Sequence, residues 1–214
     1  MPLADPLLEG FRRFQQQYFS PDNDLFAALR HGQHPVTLVI ACCDSRVHPP
    51  ALMGSQPGEM FVIRNVANLV PPCSPDNQHA SVAAALEFAV LNLQVARIIV
   101  MGHAGCGGIR ALMQRSTPQD SALTRWLDIA APARELVYRH HAAEDEATRL
   151  RRCEQAGILV SLNNLLTYPW LADKVKAGEV ALDGWYFDLN DGTLWGLDAP
   201  SNQFVPLVCP LGQQ

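Results

Sequence analysis

The sequence predicts an α/β fold: a mostly parallel central β-sheet flanked by helices, preceded by an N-terminal helical arm. Three observations predict it. Val36–Ala41 is a short β-branched run of the kind that is buried on both faces in a parallel sheet. Arg97–Met101 is a second such run, following an Ala- and Leu-rich segment with a helical period. Strand-like and helix-like segments then alternate along the chain, which is the pattern of a sheet built with helical crossovers.

Taken in order, residues 4–18 carry apolar side chains at helical spacing (Leu7, Leu8, Phe11, Phe14, Tyr18) and are closed by Ser20-Pro21-Asp22. A second helix is expected over about 23–31, stopping near Gly32. The strand at 36–41 is followed by a second apolar segment, Met60–Ile63. Residues 77–93 are expected to be helical, with Asp76 or Asn77 as the cap. The strand at 97–101 comes next, and helices separated by polar loops fill roughly 107–178. Val180–Asp188 alternates like a strand and meets Asn190-Asp191-Gly192, a hairpin turn signal. There is no internal repeat. The simplest organisation is one domain over 1–214, with a helical arm at 1–31 and a core at 36–195.

Composition narrows the function classes. Hydrophobic residues make up 48% and charged residues 17%, as in an ordinary globular protein. A net charge of −5 argues against a nucleic-acid surface, because phosphate binding needs clustered Lys and Arg. The Arg151–Arg152 pair, one of the few basic clusters and followed by Cys153 and Glu154, reads as a solvated helix face. Glu87 and Arg97 interrupt the longest apolar stretch, so no membrane span is expected. The first residues, Met1-Pro2-Leu3-Ala4-Asp5-Pro6, lack the order of a secretory signal, and a cytoplasmic protein is expected. There the six cysteines stay reduced and serve as core residues or metal ligands.

Reactive residues gather where strands end, which is where open α/β sheets bind ligands. Cys42-Cys43-Asp44-Ser45-Arg46 follows one strand and Gly102–Gly108 follows another. His103 and Cys106 have the His-x-x-Cys spacing that grips one ion, with glycines permitting a tight turn. If Gly107-Gly108 opens a helix, Cys106 sits at its positive end, which favours the thiolate. Cys42 supplies a third ligand. Two thiolates and an imidazole select zinc and leave a fourth position for water. In an extended segment, alternation puts Cys42, Asp44 and Arg46 on one side and Cys43 on the other. Cys42 is therefore the expected ligand, with Asp44 and Arg46 able to pair beside it. Cys73, Cys153 and Cys209 read as core or surface thiols, and the other six histidines as surface residues. A phosphate cradle is disfavoured, because the glycine-rich loop lacks both the G-x-G-x-x-G order and the Walker lysine.

These segments resemble β-class carbonic anhydrases. The family's Cys-x-Asp-Ser-Arg signature stands at Cys42–Arg46 and its His-x-x-Cys-Gly-Gly signature at His103–Gly108. Phe61–Asn68 is similar to the family's F-V-x-R-N-x-A-N segment, and Leu86–Val90 and Gly184-Trp185 also fit. The resemblance covers about residues 24–195. It implies reversible hydration of carbon dioxide to bicarbonate by zinc-bound hydroxide, with one zinc on Cys42, His103 and Cys106. It implies that Asp44 accepts a hydrogen bond from that hydroxide and that Arg46 holds Asp44. Gln33 matches the position whose amide contacts substrate, and Gly107 offers its backbone N–H to a bicarbonate oxygen. Phe61, Val66 and Phe88 match the apolar wall of the pocket, where the family often has Tyr in place of Phe88. Similar proteins are dimers with the pocket at the subunit boundary, and these often associate into tetramers or larger assemblies.

Some relatives also bind bicarbonate at a regulatory pocket built from Trp, Arg and Tyr. Those positions read Val39, Arg64 and Phe187 here, so that pocket is expected to be absent and Asp44 to rest on Arg46. Two other readings share the fold: a carbonyl sulfide or carbon disulfide hydrolase, and a non-catalytic zinc or thiol protein.

Overall fold

A computed structural model describes residues 5–74 and 80–212. The chain divides into two units, Met1–His34 and Pro35–Gln214. In the first, α1 (Pro6–Tyr18) starts at Asp5, whose carboxylate accepts the Leu7 N–H at 2.9 Å, with Pro6 pre-set for the first turn. α2 spans Leu25–Leu29, shorter than the expected 23–31. Phe14 packs on Tyr18 and Phe26, and Phe19 stacks on Phe26 at 4.8 Å, so aromatic contacts tie the two helices together.

The second unit is a six-stranded sheet in the order β2-β1-β3-β4-β5-β6. Its strands are β1 (Thr37–Cys42), β2 (Met60–Asn65), β3 (Arg97–His103), β4 (Ala181–Phe187), β5 (Leu194–Asp198) and β6 (Gln203–Val208). The first four are parallel and the last two antiparallel. β1 and β3 lie at the centre and are buried on both faces, which is what their unbroken apolar runs require. Leu38, Ile40, Ile98 and Val100 enter one core cluster, whereas Val39, Ala41, Ile99 and Met101 enter another. That division is the period-two alternation of a strand.

The helices are α3 (Pro49–Leu52), α4 (Ala80–Glu87), α5 (Gly107–Gln114), α6 (Ala122–Leu127), α7 (Ala131–His140), α8 (Glu146–Leu165) and α9 (Pro169–Lys176). The expected 77–93 helix is α4 continued by a π-helical turn, Phe88–Asn92, and its proposed cap, Asp76 or Asn77, lies outside the described residues. Asp145 caps α8 by accepting the Thr148 N–H.

Two elements were not anticipated. α3 begins at Pro49-Pro50, where proline suits a first helical turn. β6 contains Pro206, which reads as a loop but is tolerated because β6 is an edge strand. The sheet therefore runs past residue 195 to Val208. Arg151 and Arg152 keep partly exposed side chains, whereas Cys153 and Glu154 beside them are buried on α8. Their positions join Gly157, Ile158, Ser161 and Leu165 in one stripe at helical spacing, so the buried face of α8 includes a carboxylate.

Candidate metal centre

β1 and β3 are parallel neighbours in register, so their carboxyl ends bring Cys42 beside His103. The chain then turns at Gly105, whose φ of +68° is left-handed and favours glycine, and enters α5 with Cys106 at its N-cap. Cys42 Sγ and Cys106 Sγ are 3.9 Å apart. The two sulfurs and the His103 ring all offer ligand atoms within 4.8 Å of one another. Two thiolates on a tetrahedral zinc with bonds of about 2.3 Å would lie about 3.8 Å apart, so the separation fits one ion.

His103 makes the same point. Its Nδ1–H donates to the Ala104 carbonyl at 3.0 Å, which fixes the ring and leaves Nε2 free to bind. Nε2 is buried and has no hydrogen-bond partner, an arrangement that is costly without a ligand. A soft donor set of two sulfurs and one imidazole selects zinc over magnesium or calcium. The residues fit the metal.

Beside this cluster, Arg46 grips Asp44 with two parallel bonds, Nε to Oδ1 at 2.9 Å and Nη2 to Oδ2 at 2.7 Å. The route to this pairing differs from the expected alternation. β1 ends at Cys42, and residues 44–47 form a turn in which Asp44 O accepts the Val47 N–H and Asp44 Oδ1 accepts the Arg46 N–H. The aspartate's own turn brings Arg46 back onto it. Cys43 is exposed, its N–H donating to Asn65 O on β2. The Arg46 hydrogen bonds hold the Asp44 carboxyl well below the usual carboxylate range. Asp44 Oδ2 stands 3.9 Å from His103 Nε2, too far for a hydrogen bond but next to the ligand cluster.

Without metal, the paired sulfurs share a proton: Cys42 is held low by the Cys106 thiol, and Cys106 is pushed high by the same contact and by burial. Burial opposes the charge on His103, but the Cys42 sulfur, the Ala104 carbonyl and Asp44 outweigh it. A bound divalent ion removes the shared proton, since coordinated thiols ionise.

Gly107 lies next to Cys106, and a side chain there would meet nothing within 4 Å. Val66 sits against Gly108, where an added Cβ would come within 2.8 Å of its Cγ1. Phe61 and Phe88 pack on each other at 6.0 Å, and Phe88 is 44% exposed. Phe61 is paired with Leu38, four residues before Cys42, hence about 13 Å back along the strand from the metal end at ~3.3 Å per residue. Within one chain these two rings do not wall the metal. Gln33 is exposed at the end of the first unit.

Two supporting residues stand outside the two metal-ligand signatures. Glu154 is buried and accepts the Cys106 N–H and the Tyr186 hydroxyl, each at 2.8 Å; burial raises its pKa. A carboxylate on the apolar stripe of α8 was the sequence signal for it. Arg64 donates to the carbonyls of Cys42, Asp44 and Val47, so its guanidinium braces the metal-bearing turn.

Comparison with known proteins agrees with this geometry. The family model described as carbonic anhydrase matches residues 37–194. Beta carbonic anhydrase 6, mitochondrial, of Arabidopsis thaliana is 43% identical over 207 residues, spanning 94% of this chain and 70% of that protein. A carbonic anhydrase of Synechocystis sp. is 35% identical over 201 residues, spanning 93% and 73%. Among solved structures, the β-carbonic anhydrase CcaA superposes with a TM-score of 0.88 at 34% identity, covering 94% of this chain and 98% of that one. The tetrameric β-carbonic anhydrases of Sordaria macrospora give 0.78 at 28% identity, covering 91% and 94%. With the signature residues gathered at the ends of β1 and β3, these matches show that the chain belongs to the β-carbonic anhydrase family and is an enzyme of that kind.

Proposed function

We propose that this enzyme interconverts carbon dioxide and bicarbonate with one zinc ion per chain, held by Cys42, His103 and Cys106. The observation that carries the reading is the buried, partnerless His103 Nε2 grouped with two thiol sulfurs. When bound, zinc with three protein ligands supplies an open position that lowers the pKa of water from about 15.7 towards 7, giving a nucleophile for carbon dioxide.

The chain's own residues do the rest. Asp44, held ionised, can only accept hydrogen bonds, so it takes one from the attacking oxygen and turns a lone pair towards carbon. Arg46 keeps that carboxylate charged and oriented. The Gly107 N–H, at the positive end of α5, offers a bond to a bicarbonate oxygen. Val66 excludes water on the side of Gly108. An ionised Asp44 cannot take up the product proton at neutral pH, so buffer carries it away.

Phe61 and Phe88 lie away from the metal within one chain, and we assign them, with Gln33, to a pocket completed by a second subunit. The assembly is then a homodimer able to associate further, in line with the relatives described as tetrameric. The organisation as one domain with an arm at 1–31 is part of this reading. So is a cytoplasmic location, which fits six free cysteines and which cell fractionation tests. No helix among the described residues is long and apolar enough to cross a membrane. No observation favours carbonyl sulfide or carbon disulfide as substrate, or a non-catalytic role.

Stopped-flow hydration of carbon dioxide, with metal analysis of the same sample, tests the proposal. Activity should track zinc up to one ion per chain. Equal activity in zinc-free protein would overturn it.

A further inference from the structure

Between β2 and Leu69, the residues Val66–Asn68 form a short 3-10 turn with an unusual backbone. Ala67 (φ +63°, ψ 25°) and Asn68 (φ +50°) are both left-handed, and both are buried. Asparagine tolerates that region; alanine does so at a cost, because its Cβ crowds the following carbonyl. A strained backbone persists only where its surroundings over-determine it, and such strain gathers at functional sites.

The surroundings here do over-determine it. Trp126 on α6 donates its indole N–H to Val66 O at 2.8 Å. The Asn65 side chain brackets the turn, giving Nδ2–H to Leu69 O at 2.9 Å and accepting the Leu69 N–H at 2.8 Å. On the far side, the Ser161 hydroxyl of α8 donates to Asn68 O at 3.2 Å and accepts the Val70 N–H at 3.1 Å. From below, α5 presses close: a Cβ on Gly108 would stand 2.8 Å from Val66 Cγ1 and 3.1 Å from Ala67 Cβ. What this bracing achieves is a direction for one amide. Ala67 lies in the same buried cluster as Cys42, and Asn65, two residues before it, stands opposite Cys42 in the β1–β2 register, so the turn lies against that ligand. The Asp44 and Ala67 N–H groups are among the donors that lower its thiol. The Cys106 sulfur receives the N–H groups of Gly108 and Ile109. Helix α5 thus supplies donors to one sulfur, whereas the other depends in part on a turn that its own backbone preference does not hold.

We propose that the Val66–Asn68 turn is a positioning device for the metal ligand Cys42, and that Trp126, with Ser161 at the other end, is the residue that clamps it. The clamp keeps the Ala67 N–H on the sulfur and so fixes the thiolate's direction and electron density towards the metal. Outer groups of this sort typically change metal affinity by about 10- to 100-fold. Neither residue touches substrate or metal; both act through the backbone of the turn.

The inference rests on the metal reading above, and the experiment separates the two. Zinc affinity by chelator competition and the thiolate-to-metal absorption of the cobalt(II)-substituted protein are measured on the parent, Trp126→Phe and Ser161→Ala. Phenylalanine keeps one aromatic ring in the packing and removes the indole N–H donor with the ring that carries it. Trp126→Phe should bind zinc about 10-fold more weakly and shift the cobalt–thiolate band, and Ser161→Ala should do both to a smaller degree. A merely structural loss would lower the unfolding midpoint of the metal-free protein and leave the cobalt band where it is. Parent-like zinc affinity and cobalt spectrum in both variants, or in Ser161→Ala alone should Trp126→Phe not fold, overturns the proposal. A parent that binds neither metal overturns the reading beneath it instead.

Discussion

The ends of β1 and β3 each contribute to the metal cluster, yet they are held by different physics. The β1 end is braced by charge. Arg64 spreads its guanidinium over the carbonyls of Cys42, Asp44 and Val47, and Arg46 locks Asp44. The β3 end is braced by close packing. Gly102 lies under Ile158, where an added Cβ would come within 2.8 Å, and Gly108 lies under Val66. A charged group also supports it from within, where Glu154 accepts the Cys106 N–H. The two ends meet where Arg46 Nη2 donates to Gly105 O at 3.1 Å. A segment braced by hydrogen bonds can carry an acid–base group whose orientation is tuned by its neighbours. A segment braced by packing fixes ligands and has no room for an added atom at Gly102 or Gly108.

The sharpest way to break this comparison is at the ligands. Cys42→Ser and His103→Ala should each lose zinc and lower carbon dioxide hydration by more than about a thousandfold, since the nucleophile then reverts to ordinary water. Cys43→Ser, one residue away but exposed, should keep both zinc and activity. Stoichiometric zinc in Cys42→Ser, with none in Cys43→Ser, would reverse the assignment.

Asp44→Asn should come next, keeping zinc and losing about 10²- to 10³-fold in kcat/KM, the usual range for a positioned proton-handling group. Its pH behaviour follows from the lowered pKa. A carboxylate held low by its partner contributes stability that is present above the ordinary carboxylate value and lost only as pH falls through the lowered one. The parent's Asp44 should therefore stay ionised throughout the working range. Arg46→Ala returns it towards about 4. Activity in that variant should fall more steeply than in the parent between about pH 5.5 and pH 3.5; parallel profiles would mean that Arg46 does not set the charge of Asp44.

Bracing by charge and bracing by packing should also separate in stability. Arg64→Gln leaves three carbonyls with a weaker donor and should cost about 2 kcal/mol in denaturant unfolding of the zinc-free protein. Gly102→Ala forces Ile158 aside and should cost about 1–3 kcal/mol. The difference lies in rescue. Ile158→Val should recover part of the Gly102→Ala loss, whereas no single neighbouring truncation should rescue Arg64→Gln. Equal rescue of both would erase the distinction.

What was legible in the sequence divides along the same line. Cys42, His103, Cys106, Asp44 and Arg46 could be read because the site's chemistry demands those side chains at short spacings beside strand ends. The two central strands could be read because burial on both faces leaves an unbroken apolar run. The brace at Arg64 could not, since an arginine donating to backbone carbonyls has no sequence partner to pair with it. The burial of Glu154 could not be read, because a carboxylate beside two arginines looks solvated until the stripe from Cys153 to Leu165 is traced. β6 was missed because Pro206 argues against a strand unless the strand is known to be an edge. The separation of Phe61 and Phe88 from the metal depends on register, Phe61 against Leu38, which no local pattern states.

The smallest expected effect concerns a third thiol in the same cluster as the ligand sulfurs. Cys42, Cys106 and Cys153 all belong to the buried group beneath α5 and α7. Cys42 is held low chiefly by the hydrogen bond from the Cys106 thiol, with smaller contributions from His103 and the Asp44 and Ala67 N–H groups, whereas Cys153 is pushed up to about 12, first by burial and then by the charge of Glu154. Burial alone therefore raises a thiol here, and the partner thiol reverses its sign at Cys42. A group raised in this way contributes stability that is complete below its ordinary value near 9 and is lost as pH rises through about 12, so Cys153 should leave stability flat across neutral pH. Iodoacetamide at pH 8, followed by peptide mass spectrometry, reads the contrast directly, because only the thiolate reacts. Cys73, exposed, should label first. Cys43, exposed but raised by partial burial and by the neighbouring Cys42 charge, should follow more slowly. Cys153 should stay unlabelled until the protein unfolds, with or without zinc, while removal of zinc should open Cys42 to the reagent before Cys106. Labelling of Cys153 at the rate of Cys73 would mean that its core position does not isolate it.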